Sequence, residues 1–265
     1  LQSDSLVAYA GDPLILAVIS IAIVTGGLGP VVVVAAPAWL RGERVSLHAR
    51  LVLGCTLGLL VAPAALIFAL ERTHALADRS IVDGLMNAWF QSVTTRTAGF
   101  NSVELGALRP ATSYLMCLLM FVGGSPGSTA GGIKTTTLCV LALATVSVAR
   151  GSASVRVGGR RLPGAILLDA LAVTVATATA IAGGLLLLLL TQDINPSLLA
   201  FEVVSAVATV GLSLGITAEL DEVGRVIVTL LMLIGRVGPL AVVCALLPHQ
   251  PVPRWELPEE RIPIG

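Results

Sequence analysis

The sequence predicts an all-α integral membrane protein made of repeated helix–loop–helix units. Its 265 residues are 55% hydrophobic and 12% charged, whereas a soluble domain carries about 25% charged residues. A helical span needs roughly 20 apolar residues, and four runs are long enough: residues 14–40, 51–70, 165–190 and 226–247. A motif repeated between these runs is the third observation, and it predicts the order of the helices.

Arginines are distributed unevenly among the connections between the spans. Residues 41–50 hold three arginines and one acid, and residues 150–161 hold four arginines and no acid. The alternate connections mix signs or are acidic. Because arginine-rich loops stay in the cytoplasm, we expect a multi-pass plasma-membrane protein with these two loops and the tail, residues 248–265, inside. The net charge of zero gives no basic surface for nucleic acid.

The chain repeats itself at a distance of 112 positions. Thr97-Ala98-Gly99-Phe100 falls on Thr209-Val210-Gly211-Leu212 without a gap, and further along Gly123 falls on Gly235. Each unit has an apolar helix, a short helix with a few polar residues, a Thr-x-Gly loop and a second apolar helix. "GGLGP" at residues 26–30 resembles "GRVGP" at residues 235–239, so we expect the first helix to end an incomplete unit.

The short helices predicted at residues 81–95 and 196–208 would enter the membrane and stop half way. Non-helical backbone at that depth must line water or be buried in protein, and rings of backbone carbonyls coordinate a dehydrated potassium ion. A plain turn is the alternative for one Thr-x-Gly, but two at equivalent places favour a pore loop that acts as a selectivity filter. The predicted ion-binding residues are Thr97, Ala98, Gly99, Phe100, Thr209, Val210, Gly211 and Leu212.

A glycine-rich loop, residues 123–132, interrupts an otherwise continuous helix from residue 111 to residue 149. Five glycines and a proline in ten residues cannot form a regular helix. The nucleotide-binding pattern fails because Ile133 separates Gly132 from Lys134; a passive kink with a snorkelling lysine stays open. The favoured interpretation is a gate below the filter. The predicted gate residues are Gly123, Gly124, Ser125, Gly127, Gly131, Gly132, Lys134 and Arg236.

Arg236 lies within a predicted span, where a charged side chain needs a cavity or a partner. We expect it to donate to carbonyls of the glycine-rich loop and hold the closed state. An arginine that reaches the cytoplasmic interface is the alternative.

The other polar side chains suggest no chemistry. Asp169 receives no role, and Glu202 is assigned a structural one. The four cysteines are expected to be buried small residues, and the three histidines are isolated, so no metal other than potassium and no organic cofactor is expected. Because no nucleophile–base–acid arrangement appears, we do not expect an enzyme.

Three stretches together resemble the Trk/Ktr/HKT superfamily of potassium-uptake proteins, closest to the bacterial KtrB-type translocating subunits. They are "FQSVTTRTAGFN", "GGSPGSTAGGIKTTT" and "VVSAVATVGLSLGIT" with the following "LLMLIGRVGPL". The resemblance implies four units of one polypeptide around a pore of fourfold pseudosymmetry, with the glycine-rich loop across the pore. It also implies a homodimer, sodium as an activator and a cytoplasmic nucleotide-binding regulatory ring.

On this resemblance the chain divides into four parts. Residues 1–45 are the incomplete unit, residues 46–162 the first complete unit and residues 163–247 the second complete unit, before the tail. We therefore expect the missing units to lie upstream or on another polypeptide. The predicted function is potassium uptake as the pore-forming subunit. A truncated, non-conducting protein that only assembles with other subunits is the alternative, and a carrier for a larger solute is a further one.

Overall fold

The computed structural model describes residues 5–152 and 154–246, so the predicted tail lies outside the described residues. Within that part the α-helices are α1 (Pro13–Leu28), α2 (Pro30–Leu40), α3 (Leu47–Glu71), α4 (Ile81–Thr94), α5 (Pro110–Phe121), α6 (Thr135–Ala149), α7 (Gly164–Thr191), α8 (Pro196–Val207), α9 (Glu222–Val237) and α10 (Pro239–Leu246). A small antiparallel hairpin, β1 (Arg156–Val157) and β2 (Arg160–Arg161), connects α6 to α7. The described fold is therefore almost entirely helical, as predicted.

Polar residues begin several of the helices. The Ser80 hydroxyl accepts the N–H of Asp83 at the start of α4, and the Asn195 side chain accepts the N–H of Ser197 at the start of α8. Such caps satisfy N–H groups that have no partner inside the helix, and Pro196 at the first position of α8 has no N–H to satisfy. Both half-length helices agree with the prediction to within one residue.

Two of the four predicted spans are bent rather than straight. The axis turns by 110° between α1 and α2 and by 89° between α9 and α10. Gly29 and Gly238 stand at the two breaks with φ of 72° and 98°, and each precedes a proline, which disfavours the helical conformation. By length and composition, the described residues provide two whole spans, α3 and α7, and up to four if each bent pair counts as one.

The half-length helices α4 and α8 form the centre of the packing. Each packs against the first helix of its own unit and against the second helix of the unit before it: α4 contacts α3 and α1, and α8 contacts α7 and α5. Phe90 and Phe201 on these helices are fully buried, whereas the outer faces of α1 and α7 expose Leu14 and Leu190. An apolar outer face around a buried centre fits a lipid environment.

The two arginine-rich connections lie at the same end of the molecule. Leu47 and Arg50 at the start of α3 line one crevice of about 470 Å³ together with Val157 and Gly158 of the hairpin. A single cytoplasmic face requires this placement, because the positive-inside rule assigns both connections to the same side.

Candidate ion pathway

The first filter stretch, residues 97–100, is held by the last turn of α4. The N–H of Phe100 donates to Thr94 Oγ1 at 3.0 Å, and that hydroxyl donates to the Phe100 carbonyl at 2.5 Å. Thr97 and Gly99 have positive φ values of 65° and 76°. A β-branched residue at positive φ is rare and costs about 1–3 kcal/mol, so it persists only where its surroundings impose it.

The second filter stretch, residues 209–212, has the same backbone pattern. Thr209 and Gly211 have φ values of 55° and 91°. A serine in the last turn of α8 holds this stretch, since Ser205 accepts the N–H of Val210 on its carbonyl at 2.8 Å and the N–H of Gly211 on its hydroxyl at 3.2 Å. The two stretches thus share a positive φ at the threonine and at the glycine, although different residues hold them in place.

The two stretches meet at their glycines. A methyl group on Gly99 would overlap the carbonyl oxygen of Val210 and lie 3.3 Å from the Cα of Gly211. A methyl group on Gly211 would lie 3.6 Å from the Cα of Gly99. Glycine is therefore required at position 99 by both its φ and the close approach of the neighbouring backbone.

The glycine-rich loop leaves α5 and returns to α6 at nearly the same point. The N–H of Gly123 donates to the Ile133 carbonyl at 2.8 Å, and the N–H of Ile133 donates to the Phe121 carbonyl at 3.0 Å. A methyl group on Gly123 would overlap the Gly131 carbonyl oxygen. These contacts close the ends of the loop on each other, and its tip, Pro126 and Gly127, is exposed.

Besides Arg236 of α9, the loop is bonded to three other parts of the chain. From the incomplete unit, the Gly27 carbonyl accepts the N–H of Ser125 at 2.9 Å, and the Leu28 carbonyl accepts the Ser125 hydroxyl. From the second filter stretch, Thr209 Oγ1 accepts the N–H of Gly131 at 3.1 Å. The third part is Arg96, which directly precedes the first filter stretch.

Arg96 is 6% exposed and donates two hydrogen bonds to the beginning of the loop. Its Nη1 lies 2.8 Å from the Val122 carbonyl oxygen and its Nη2 lies 2.6 Å from that of Gly123. No acidic side chain forms an ion pair with Arg96 in the part of the chain that the structure describes. Carbonyl dipoles of the loop therefore solvate a buried charge, which is costly to leave unpaired.

Two further cations contact carbonyls near the middle of the loop. Arg236 Nη1 donates to the Thr129 carbonyl at 2.8 Å, and Lys134 Nζ donates to the Ala130 carbonyl at 2.5 Å. The expected contact between Arg236 and the loop is thus present. Its role in holding a closed state stays a prediction, as do the roles of the other predicted filter and gate residues.

One crevice joins the filter to the loop. It has a volume of about 380 Å³ and is lined by α1, by Thr97, Ala98 and Phe100 of the first filter stretch, and by Thr129 and Ala130 of the loop. Arg96 also lines it. The predicted filter and the predicted gate therefore share one continuous wall.

The structure differs from the sequence-based expectation for the cysteines. Cys244 is exposed, and Cys55, Cys117 and Cys139 are only half-buried. Asp169 is exposed, as expected for a carboxylate without a role. Glu202 is buried, and its Oε1 accepts the Thr217 hydroxyl at 2.5 Å, which fits the structural role assigned to it. Among the described residues no cluster of three or more metal-ligating side chains occurs.

Sequence reasoning gave no role to Arg96, to the Thr209 hydroxyl or to Glu71. The side chain of Glu71 is fully buried and accepts the N–H of Arg109 at 3.0 Å and the Thr112 hydroxyl at the start of α5. The signal for Arg96 was available, since an arginine at the end of a half-length intramembrane helix needs a partner. Nothing in the sequence indicates the hydrogen-bond partners of Thr209 and Glu71.

Comparison with known proteins places the chain in a family. The sequence profile described as "TrkH: Cation transport protein" matches residues 1–253. "Ktr system potassium uptake protein B" of Bacillus subtilis is 38% identical over 92% of this chain and 55% of its own length. "Potassium/sodium uptake protein NtpJ" of Enterococcus hirae is 35% identical over the whole of this chain and 60% of its own length.

A solved structure shares the fold. The crystal structure of the potassium transporter TrkH from Vibrio parahaemolyticus matches with a TM-score of 0.77 at 21% identity, covering 93% of this chain and 55% of that one. The chain therefore spans a little over half the length of these relatives. Their names describe transport, in agreement with the prediction that the chain is not an enzyme. This chain belongs to the TrkH family of cation transport proteins, in the Trk/Ktr group that the sequence resembles.

Proposed function

We propose that the chain forms part of the pore-forming subunit of a potassium-uptake system in the plasma membrane. Carbonyls of residues 97–100 and 209–212, with those of further units, replace the water around a potassium ion in a pore of fourfold pseudosymmetry. The observation that carries the proposal is the meeting of two Thr-x-Gly stretches with matching signs of φ at Gly99 and Gly211. Backbone of this kind, held at membrane depth, presents carbonyls to a dehydrated cation.

The helix ends support a cation rather than an anion as the transported species. The C-terminal ends of α4 and α8 immediately precede the two filter stretches. A helix carries about half a negative charge at that end, so both half-length helices favour a cation at the filter. Entry would be downhill, since an inside-negative potential contributes about 2.3 kcal/mol per charge per 100 mV.

The glycine-rich loop serves as the gate in this proposal. It lines the same crevice as the first filter stretch, and three cationic side chains, Arg96, Lys134 and Arg236, donate to its carbonyls or those beside it. Positive charge next to the ion path opposes cation passage while the loop is in place. The loop must therefore move before potassium enters the cytoplasm.

The proposal includes partners and an activator. Two relatives are named as components of a Ktr system, and we propose a homodimer of this subunit on a cytoplasmic nucleotide-binding regulatory ring, with sodium as activator. The hairpin of β1 and β2 and the connection at residues 41–50 offer the ring a basic docking face.

The test of the function is potassium uptake by the full-length gene product in a host that lacks its own uptake systems, with and without sodium. We expect growth at potassium concentrations that do not support the parent host. Protein that reaches the membrane without restoring growth would overturn the proposal and favour the function of an assembly-only subunit.

The gate role of Arg236 predicts a gain of basal flux. Arg236→Gln removes the hydrogen bond to the Thr129 carbonyl, which at about 1 kcal/mol should raise the basal potassium flux about fivefold. Flux into proteoliposomes loaded with a potassium-sensitive dye measures the change. Arg225→Gln is the matched control, because Arg225 lies on the same helix, is exposed, and donates to the Ala218 carbonyl instead. Equal flux in the two variants would contradict the gate role.

A further inference from the structure

The two filter stretches are bonded to opposite ends of the glycine-rich loop. Arg96, beside Thr97, holds the carbonyls of Val122 and Gly123, where α5 ends. Thr209 holds the N–H of Gly131, shortly before α6 begins. The start of the loop therefore contacts the residue that precedes the first filter stretch, and a residue near its finish contacts the second filter stretch itself.

The contact with Thr209 leaves no space between the loop and the filter. A methyl group on Gly131 would overlap Thr209 Oγ1 and lie 2.6 Å from the carbonyl oxygen of Ala208. Thr209 is also the residue at positive φ that begins the second filter stretch. One residue thus bonds the loop and shapes the filter, so a displaced loop removes a contact that helps to hold Thr209 in a strained conformation.

The contact with Arg96 works through a buried charge. When the loop leaves, the Arg96 guanidinium loses the Gly123 carbonyl and keeps only that of Val122 at the end of α5, and a buried charge with fewer partners is destabilised. Arg96 must then follow the loop or turn toward the crevice that it lines. Because Arg96 is joined directly to Thr97, we expect a guanidinium that follows the loop to displace the first filter stretch.

The repeat shows that these contacts are not a general feature of the units. At a distance of 112 positions Arg96 corresponds to Ala208, which has no charged group to bond the loop. Thr97 corresponds to Thr209, yet no side-chain hydrogen bond of Thr97 occurs among the residues that the structure describes, whereas Thr209 Oγ1 bonds Gly131. Each filter stretch therefore reaches the loop through its own residue.

We propose that Arg96 and Thr209 are positioning residues that couple the filter to the glycine-rich loop. Release of the loop loosens the filter backbone at Thr97 and Thr209, and an ion in the filter in turn favours the bonded position of the loop. Such coupling is reciprocal, because an effect of the loop on ion binding requires an equal effect of the ion on the loop. The proposal rests on the proposed function, in which residues 97–100 and 209–212 bind potassium.

Hydrogen exchange of the full-length protein in nanodiscs tests the coupling without any measurement of flux. The amides to follow are those of Gly123 and Ser125, which bond Ile133 and Gly27 and do not contact Thr209. In the unaltered protein, exchange at these amides should be slower in potassium than in choline. Thr209→Val should accelerate exchange there roughly three- to tenfold and abolish the potassium dependence, since one hydrogen bond is lost.

Three further variants control the experiment. Thr209→Ser keeps the hydroxyl and should restore slow exchange, whereas Thr97→Val removes the same atoms from the equivalent filter position and should not accelerate exchange in choline. Arg96→Lys keeps the charge but not the paired donors, and should resemble Thr209→Val. Equal acceleration by Thr97→Val and Thr209→Val, or exchange that is independent of potassium in the unaltered protein, would overturn the coupling. Absence of potassium uptake by the unaltered protein would instead overturn the proposed function.

Discussion

The second helices of the two complete units begin alike and then differ. α5 and α9 start at equivalent positions of the repeat, but α9 continues to Val237 and bends at Gly238, whereas α5 ends at Phe121 and gives way to the loop. Pro126, at the tip of the loop, corresponds to Gly238 at the bend. The same repeated unit therefore has a single break in one copy and a whole loop in the other. The additional glycines of the loop account for the difference, because glycine favours irregular backbone.

The loop also contacts the bend of the incomplete unit. Gly29, at the bend between α1 and α2, is so close to the loop that a methyl group there would lie 3.4 Å from Gly127. The unit with the loop is thus supported by a neighbour that has only a bend. The comparison indicates that the glycine-rich loop is a feature of one unit, and that its neighbour contacts it through a bend.

The largest expected effect compares the two filter glycines. Gly99→Ala introduces a methyl group that overlaps the Val210 carbonyl, whereas the methyl group of Gly211→Ala meets its nearest neighbour at an ordinary 3.6 Å. Both variants bear the cost of a positive φ, roughly 1 kcal/mol. We expect the potassium uptake rate of Gly99→Ala to be more than tenfold lower than that of Gly211→Ala. Initial uptake rates at equal expression measure the ratio, and equal losses would show that the two stretches do not meet as described.

The next effect compares the acids at the starts of the two second helices. The fully buried Glu71 accepts the N–H of Arg109, just before α5, whereas the exposed Asp221 caps α9, accepts the N–H of Gly224 at 2.7 Å and bonds Gln192. Glu71→Gln turns an N–H₂ group toward a donor and should cost about 2 kcal/mol. Asp221→Asn should change stability little, since asparagine caps helices well. Thermal unfolding in detergent measures both.

The cap of α9 by Asp221 is expected to depend on pH. The backbone N–H of Gly224, with the Gln192 side chain, lowers the pKa of Asp221 below its ordinary 3.8. The stabilisation by Asp221 is therefore present above its unfolded pKa and is lost as the pH falls through the folded one. The Asp221→Asn protein should lack this small loss. An unchanged acid profile would contradict the cap.

A further comparison concerns Gly235 and Gly26, each three residues before the break in its helix pair. A methyl group on Gly235 would overlap the Val207 carbonyl, whereas one on Gly26 meets nothing within 4 Å. Gly235→Ala should destabilise the protein by about 1–3 kcal/mol through overpacking between α9 and α8. Gly26→Ala should be neutral or stabilising by a few tenths of a kcal/mol, as alanine favours helices. The midpoint of thermal unfolding measures both, and equal midpoints would show that α9 and α8 are not packed this closely.

Much of the framework could be predicted because its causes are local. The half-length helices at Ile81–Thr94 and Pro196–Val207 follow from apolar runs of limited length that begin at capping residues, and the break after Phe121 follows from glycine and proline. The bends at Gly29 and Gly238 were predictable as well, since glycine before proline is a local signal. The spans predicted at residues 14–40 and 226–247 do not include these bends, because the length of an apolar run carries no information about the direction of the helix axis.

Composition and local motifs are sufficient to place the apolar helices, the two half-length helices before the Thr-x-Gly stretches, and the break in one second helix. The bonds of the polar groups at this break depend instead on contacts between distant residues. Arg96 finds Val122 across 26 residues and Gly131 finds Thr209 across 78. The physical reason is that helix formation and membrane insertion depend on neighbouring residues, whereas a buried guanidinium or hydroxyl is satisfied by whichever carbonyl or N–H the packing of distant helices brings within reach.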